Sequence, residues 1–134
     1  MERTLVLIKP DAVERNLIGR ILTQYEQNGL KITRLEMVHA QRSVAEEHYI
    51  EHLGRPYYEK LIQYITRSPL VALVLEGEDA ISRVRQINGK TNPLEAEKGT
   101  IRGLYGIDTS YNTVHASDST LNADREIKIW FKCQ

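Results

Sequence analysis

Asn112-Thr113-Val114-His115-Ala116-Ser117-Asp118-Ser119 is the stretch in which the chain passes from one kind of structure to another. Val114 lies in a short β-type segment, and His115 follows. Ser117, Asp118 and Ser119 then supply three successive residues of the types that cap helix N-termini. Beyond them Ala123, Ile127, Trp130 and Phe131 recur at helical spacing, which predicts an amphipathic helix ending near Lys132. A histidine is thereby placed where a strand hands over to a helix. The free backbone N–H groups at that end of a helix favour anions such as phosphate. Neutral imidazole is also a nucleophile at physiological pH. Whether the segment around Val114 is a strand determines which sheet the upstream elements build.

Working outward, residues 5–8 are a continuous apolar run, as expected for a strand buried on both faces, and Lys9-Pro10-Asp11 ends it. Ile18, Ile21, Leu22 and Tyr25 mark one face of a helix that Asn28-Gly29 stops. Residues 31–39 alternate and read as a second strand, with Thr33, Leu35 and Met37 on one side and Arg34 and Glu36 on the other. Ser43 can cap a helix over 43–53. It carries His48 and His52, four apart and so on one helix face; a two-histidine metal site is conceivable, but no zincin-type glutamate motif surrounds them. Pro56 suits the first turn of a further helix whose stripe is Tyr57, Leu61, Ile62 and Ile65. Residues 70–75 are a third apolar strand. A short helix follows, with Ile81, Val84 and Ile87 inward and Arg85 pointing away. Residues 88–102, rich in Gly, Pro and Thr, read as a long ordered loop, and such loops are usually functional. This order predicts an α+β sandwich. A ferredoxin-like βαββαβ core with added helices fits best if Val114 belongs to the fourth strand.

The 134 residues fit one domain, 1–134, large enough for a core without staples. Eighteen Lys and Arg balance eighteen Asp and Glu, so overall charge gives no argument for a membrane or nucleic-acid surface. The single cysteine, Cys133, cannot form an internal disulfide, which fits a reducing compartment. Only four apolar residues precede Lys9 after the polar start, too few for a signal peptide or a membrane span. We therefore expect a soluble, cytoplasmic protein.

Asn112-x-x-His115-x-Ser117-Asp118-Ser119 resembles the signature of the nucleoside diphosphate kinases. Leu7-Ile8-Lys9-Pro10-Asp11, Arg55-Pro56-Tyr57-Tyr58, Ser68-Pro69-Leu70-Val71, Thr91-Asn92-Pro93-Leu94 and Gly99-Thr100-Ile101-Arg102-Gly103 fall in that family's order as well. Six ordered motifs cover essentially the whole chain. The resemblance implies the ferredoxin-like fold. It also implies an enzyme that moves the γ-phosphate of a nucleoside triphosphate, mainly ATP, to nucleoside diphosphates in ping-pong fashion. His115 would be the phosphorylated nucleophile. Glu126 would accept a hydrogen bond from its other ring nitrogen, and Ser117 would support both. Lys9, Tyr49, Arg85, Thr91, Arg102 and His52 would hold phosphates, and Lys9 and Asn112 would contact the sugar hydroxyls. Tyr57 would stack on the base; the residue pattern alone fits equally a helix-face aromatic packed in the core. The catalytic set implied is thus His115, Glu126, Lys9, Tyr49, Asn112 and Ser117. Mg²⁺ would sit on the nucleotide phosphates and no metal site would be built from protein alone. The family's habit implies a homo-oligomer, a hexamer ahead of a tetramer.

Four positions depart from the family pattern. Ala116 stands where glycine is usual, and a glycine there could reflect close backbone approach or a positive φ. Leu104 replaces a common acidic residue, Tyr111 a common arginine and Tyr57 a usual phenylalanine. Two other classes compete with the enzyme. An inactive module of the same fold is disfavoured because Lys9, Arg85, Arg102, Asn112, His115 and Glu126 are all present. A nucleic-acid binder using Lys9, Arg85, Lys90 and Arg102 is disfavoured by the neutral charge and sparse aromatics.

Overall fold

The computed structural model describes residues 1–108 and 112–131. Its strands are β1 (Glu2–Ile8), β2 (Lys31–Val38), β3 (Leu70–Gly77) and β4 (Val114–Ala116). They form one antiparallel sheet in the order β2-β3-β1-β4. The helices are α1 (Pro10–Glu14), α2 (Ile18–Gln27), α3 (Arg42–His48), α4 (Tyr58–Thr66), α5 (Ala80–Asn88), α6 (Ile101–Tyr105) and α7 (Thr120–Trp130). The α+β sandwich expected from the sequence is present, with α3 and α4 inserted between β2 and β3 as added helices.

The sheet has a core on each face, and β1 and β3 supply both by alternation. Val6, Ile8, Val71, Leu73 and Leu75 face α1, α2, α5 and α6 together with Val114 and Ala116 of β4. Leu5, Leu7, Leu70, Ala72 and Val74 face α3, α4 and α7. The same period of two sends the side chain of His115 to the second face, between Val114 and Ala116 on the first. In register His115 lies opposite Leu7, and two steps on the Lys9 N–H donates to the Thr113 carbonyl at 2.9 Å. Pairing of β1 with β4 therefore brings the lysine and the histidine, 106 positions apart in sequence, to the same end of the sheet. Thr113 has φ 80°, a left-handed conformation that a β-branched residue rarely adopts, and its carbonyl is held by the Lys9 N–H where β4 pairs with β1.

Several boundaries differ from those expected. The tripeptide Lys9-Pro10-Asp11 ends β1 by starting α1, with Pro10 in its first turn. The helix expected over 43–53 stops at His48, tightens into a 3₁₀ turn at Ile50–His52, and has Gln41, not Ser43, at its N-cap position. Pro56 precedes α4 instead of opening it, so Tyr57 stands outside the helical stripe. On β2 the pairing with β3 slips between Ile32 and Arg34, leaving Thr33 out of the expected alternation, and Leu35 and Met37 are exposed. The segment over 88–102 holds a 3₁₀ turn at Pro93–Glu95 and the start of α6. Ala116 lies in β4 without a positive φ; the left-handed residue is Thr113 instead. The expectations for Tyr111, Lys132 and Cys133 fall outside the described residues.

Candidate active site

At the end of β1 and β4 the chain leaves a cleft of about 520 Å³. Ten of the eleven residues singled out from the sequence line it: Lys9, Tyr49, His52, Tyr57, Arg85, Thr91, Arg102, Asn112, His115 and Glu126. The eleventh, Ser117, is fully buried directly behind it.

The nucleophile candidate is held from behind. Nε2 of His115 lies 3.0 Å from Oε1 of Glu126. A carboxylate only accepts, so Nε2 carries the proton and Nδ1 keeps its lone pair. Ser117 donates its hydroxyl to the same carboxylate oxygen at 2.7 Å, and its own oxygen accepts from the Leu5 N–H. Glu126 is nearly buried and has Arg125 at 3.7 Å on its other oxygen. It reaches the histidine because α7 starts at Thr120, with the Ser119 side chain accepting from the Asn122 N–H. Of the three expected cap residues, Ser119 is thus the cap. Asp118 instead accepts from the Asn122 amide at 2.7 Å, a bond that holds its carboxyl below the ordinary range.

Cations line the opposite wall. Lys9 Nζ donates to Asn112 Oδ1 at 2.8 Å, and Asn112 in turn donates to the Thr91 carbonyl at 3.2 Å. Burial, and then the nearby Arg102 guanidinium, bring the Lys9 pKa down to about 8. Arg102 is fixed by donating to the carbonyls of Gly89 (2.7 Å) and Val114 (2.8 Å), while its Nε is buried without a partner. Burial lowers it to about 10, which leaves it charged at neutral pH. Gly89 is required there: its φ is 88°, and a Cβ would meet Thr100 Oγ1 at 2.5 Å. Arg85 lies within 3.5 Å of the Ala116 carbonyl. The Tyr49 hydroxyl is buried behind the cleft wall without a hydrogen-bond partner. Burial pushes its pKa up, so it remains a protonated donor.

At the mouth, Tyr57 is 45% exposed and its hydroxyl lies 2.7 Å from His52 Nδ1. Of its two sequence readings, core packing is therefore ruled out and an accessible ring face remains. His48 and His52 do not share a helix, because the chain tightens between them. His48 instead sits against His115, their ring centroids 4.5 Å apart. Among the described residues, one group could offer three metal-ligating atoms together: His48, His115 and Glu126, within 4.8 Å of one another. Trp130 donates to His48 Nδ1, and both His115 and Ser117 donate to Glu126, so these atoms already serve a hydrogen-bond network. The sequence reading missed this role of His48 and Trp130. The only signal was a pair of polar-tipped rings on apolar helix faces, which is how any satisfied core residue looks.

A model of the nucleoside diphosphate kinase family matches residues 2–134. The chain belongs to the nucleoside diphosphate kinase family. A Clostridium perfringens nucleoside diphosphate kinase is 58% identical over 131 residues, covering 98% of this chain and 92% of its own. A Pyrococcus furiosus nucleoside diphosphate kinase is 52% identical over 98% of this chain and 84% of its own. Among solved structures, the Aquifex aeolicus nucleoside diphosphate kinase superposes with a TM-score of 0.94 at 44% identity, over 97% of this chain and 94% of that one. The apo Encephalitozoon cuniculi nucleoside diphosphate kinase gives 0.96 at 41%, over 98% and 89%. Membership in this family makes the protein a nucleotide-dependent phosphotransferase, and the cation-lined cleft around His115 is where its sequence and geometry meet.

Proposed function

We propose that residues 1–134 act as one nucleoside diphosphate kinase domain in which His115 carries the phosphoryl group between two nucleotides. The observation behind this is the His115–Glu126–Ser117 hydrogen-bond chain. It leaves Nδ1 as the nucleophilic nitrogen in a cleft walled by Lys9, Arg85 and Arg102. Nδ1 attacks the γ-phosphorus of a nucleoside triphosphate, ATP above all. A P–N bond forms, the bond to the bridging oxygen breaks, and the diphosphate leaves. The terminal oxygen of a second diphosphate then attacks the same phosphorus, the P–N bond breaks, and the histidine is regenerated. The Nε2 proton stays directed at Glu126 throughout.

The cations serve the charge that spreads over the transferring oxygens. Lys9, Tyr49, Arg85, Thr91, Arg102 and His52 hold the phosphates, and Lys9 and Asn112 reach the sugar. Tyr57 stacks on the base, and a ring face accepts any base. The family's need for a divalent metal would be met by Mg²⁺ carried on the nucleotide phosphates. The protein offers no all-oxygen cage among the described residues, only the ionised Asp118 on the cleft wall for the ion's water shell. The ion would neutralise phosphate charge. We place the enzyme in the cytoplasm, where its nucleotides are found and a single cysteine is at home, and read it as a homo-oligomer, a hexamer ahead of a tetramer.

The test is incubation with γ-labelled ATP alone, then with a different nucleoside diphosphate. ATP alone should leave a base-stable, acid-labile label on the protein, and the second nucleotide should remove it. His115→Ala should abolish both label and turnover. Glu126→Ala should still be labelled, but roughly 10- to 1000-fold more slowly, the scale of lost orientation and electrostatics. Appreciable nucleotide-to-nucleotide transfer by His115→Ala would overturn the covalent route.

A further inference from the structure

His48 ends α3 and has no part in the transfer just described, yet it is the ring closest to the nucleophile. It is 4% exposed. Trp130 Nε1 lies 3.1 Å from its Nδ1. An indole N–H can only donate, so Nδ1 must present a lone pair and the neutral ring carries its proton on Nε2. Three aromatic rings bracket it edge-to-face: Tyr49 at 4.8 Å, Trp130 at 5.6 Å and His115 at 4.5 Å, the last with planes 80° apart. The charged or titratable groups facing it are His115 from β4, Arg125 and Glu126 from α7, Lys9 from the end of β1 and His52 from the 3₁₀ turn. Burial first, and then these neighbouring cationic groups, hold His48 well below the ordinary histidine range, so it stays neutral at physiological pH.

The hydrogen bond to Glu126 fixes where Nε2 of His115 points but leaves the ring free to tilt about that bond. A second ring packed edge-to-face at 4.5 Å removes the tilt. Attack on phosphorus also builds positive charge on the His115 ring, and a neutral neighbour adds no repulsion to it.

We propose that His48 is a positioning residue for His115: its ring, clamped by Trp130, sets the plane from which Nδ1 reaches the phosphorus. This rests on His115 being the phosphorylated residue. The experiment measures the rate at which ATP phosphorylates the enzyme, by rapid quench, together with KM and melting temperature. His48→Asn keeps an acceptor near Nδ1 but loses the ring. Its phosphorylation should slow roughly 10- to 100-fold, the scale of a misplaced reacting group, with little change in KM. His48→Phe keeps the ring and loses the acceptor. It should melt lower, because the indole N–H is left unsatisfied, yet stay within about threefold of the wild-type rate. Wild-type speed in His48→Asn, or a loss of rate in His48→Phe as large as in His48→Asn, overturns the proposal. If the asparagine variant does not fold, His48→Leu decides instead: it fills the site with an apolar side chain but offers no ring edge to His115. It should slow phosphorylation at unchanged KM, and a wild-type rate overturns the proposal. A wild-type enzyme that takes no label from ATP would instead defeat the reading of His115 itself.

Discussion

At the scale of single residues, Lys9 shows how burial sets a working pH. Its ammonium is enclosed at the end of β1, and its pKa falls from 10.5 to about 8. Between those two values the unfolded chain binds more protons than the folded one, so the stability of the free protein rises with pH across that window. Activity runs the other way, because phosphate binding needs the charged form. kcat/KM, which reports the free enzyme, should therefore fall as pH rises through about 8. The corresponding limb of kcat should lie higher, since a bound phosphate favours the ammonium. A kcat/KM profile still flat well above that pH would contradict this. Tyr57 gives a second prediction. Its hydroxyl bonds His52 at an exposed site, so Tyr57→Phe should cost only about 0.5–1.5 kcal/mol of nucleotide binding. Tyr57→Ala should weaken purine and pyrimidine diphosphates alike, and selective loss of one base would count against stacking. The residues singled out from the motifs and the family resemblance were legible in the sequence: ten of them line one cleft, six within the quoted motifs. His48 was not, because a histidine buried against a tryptophan leaves the same trace in a sequence whether it supports a nucleophile or merely fills a core.

Among the elements, α7 and β4 carry the site, and their junction can be tested separately from its chemistry. Ser119 caps α7, and Ser117, two residues earlier, bonds the carboxylate that orients His115. Ser119→Ala should cost about 1 kcal/mol of stability, seen as a melting temperature a few degrees lower, while kcat changes little. Ser117→Ala should do the reverse in emphasis, lowering kcat because Glu126 loses a donor. Equal kcat losses in the two variants would show that the cap and the carboxylate support are not separable. The long apolar runs of β1 and β3 were readable because strands buried on both faces need no alternation. The five-residue helices α1 and α6 were not, since five residues barely exceed one turn and show no period. The left-handed Thr113 was hidden too: nothing in its residue type announces φ 80°, and tertiary pairing of β1 with β4 imposes it.

For the whole molecule, the α+β sheet order was legible because the order of strands and helices leaves few antiparallel arrangements, whereas the helices α3, α4 and α7 covering its second face were not placed there by the sequence pattern. Surface use was less so. The alternation of β2 predicted a buried face, yet Leu35 and Met37 are about half exposed on the sheet's free edge. Leu94, Leu104 and Ile107 are exposed around the 3₁₀ turn at Pro93–Glu95 and α6, which pack on each other. Arg102 ties α6 to the β4 side of the sheet, so the two apolar regions lie toward opposite edges. Unpaired strand edges and apolar patches are where chains associate. One self-complementary contact closes a dimer, and a different, head-to-tail contact closes a ring. A chain with both can build a closed hexamer from dimers and trimers. Sedimentation equilibrium at micromolar concentration should therefore give a mass several times that of the 15.4 kDa chain. Charged substitutions at Leu35 and Met37 alone should reduce the assembly to a smaller closed ring that still accepts phosphate from ATP, because the cleft lies at the other end of the sheet order. Substitutions at Leu94 and Leu104 alone should leave dimers. A monomeric wild-type protein, or complete dissociation when only one region is altered, would be incompatible with two independent interfaces.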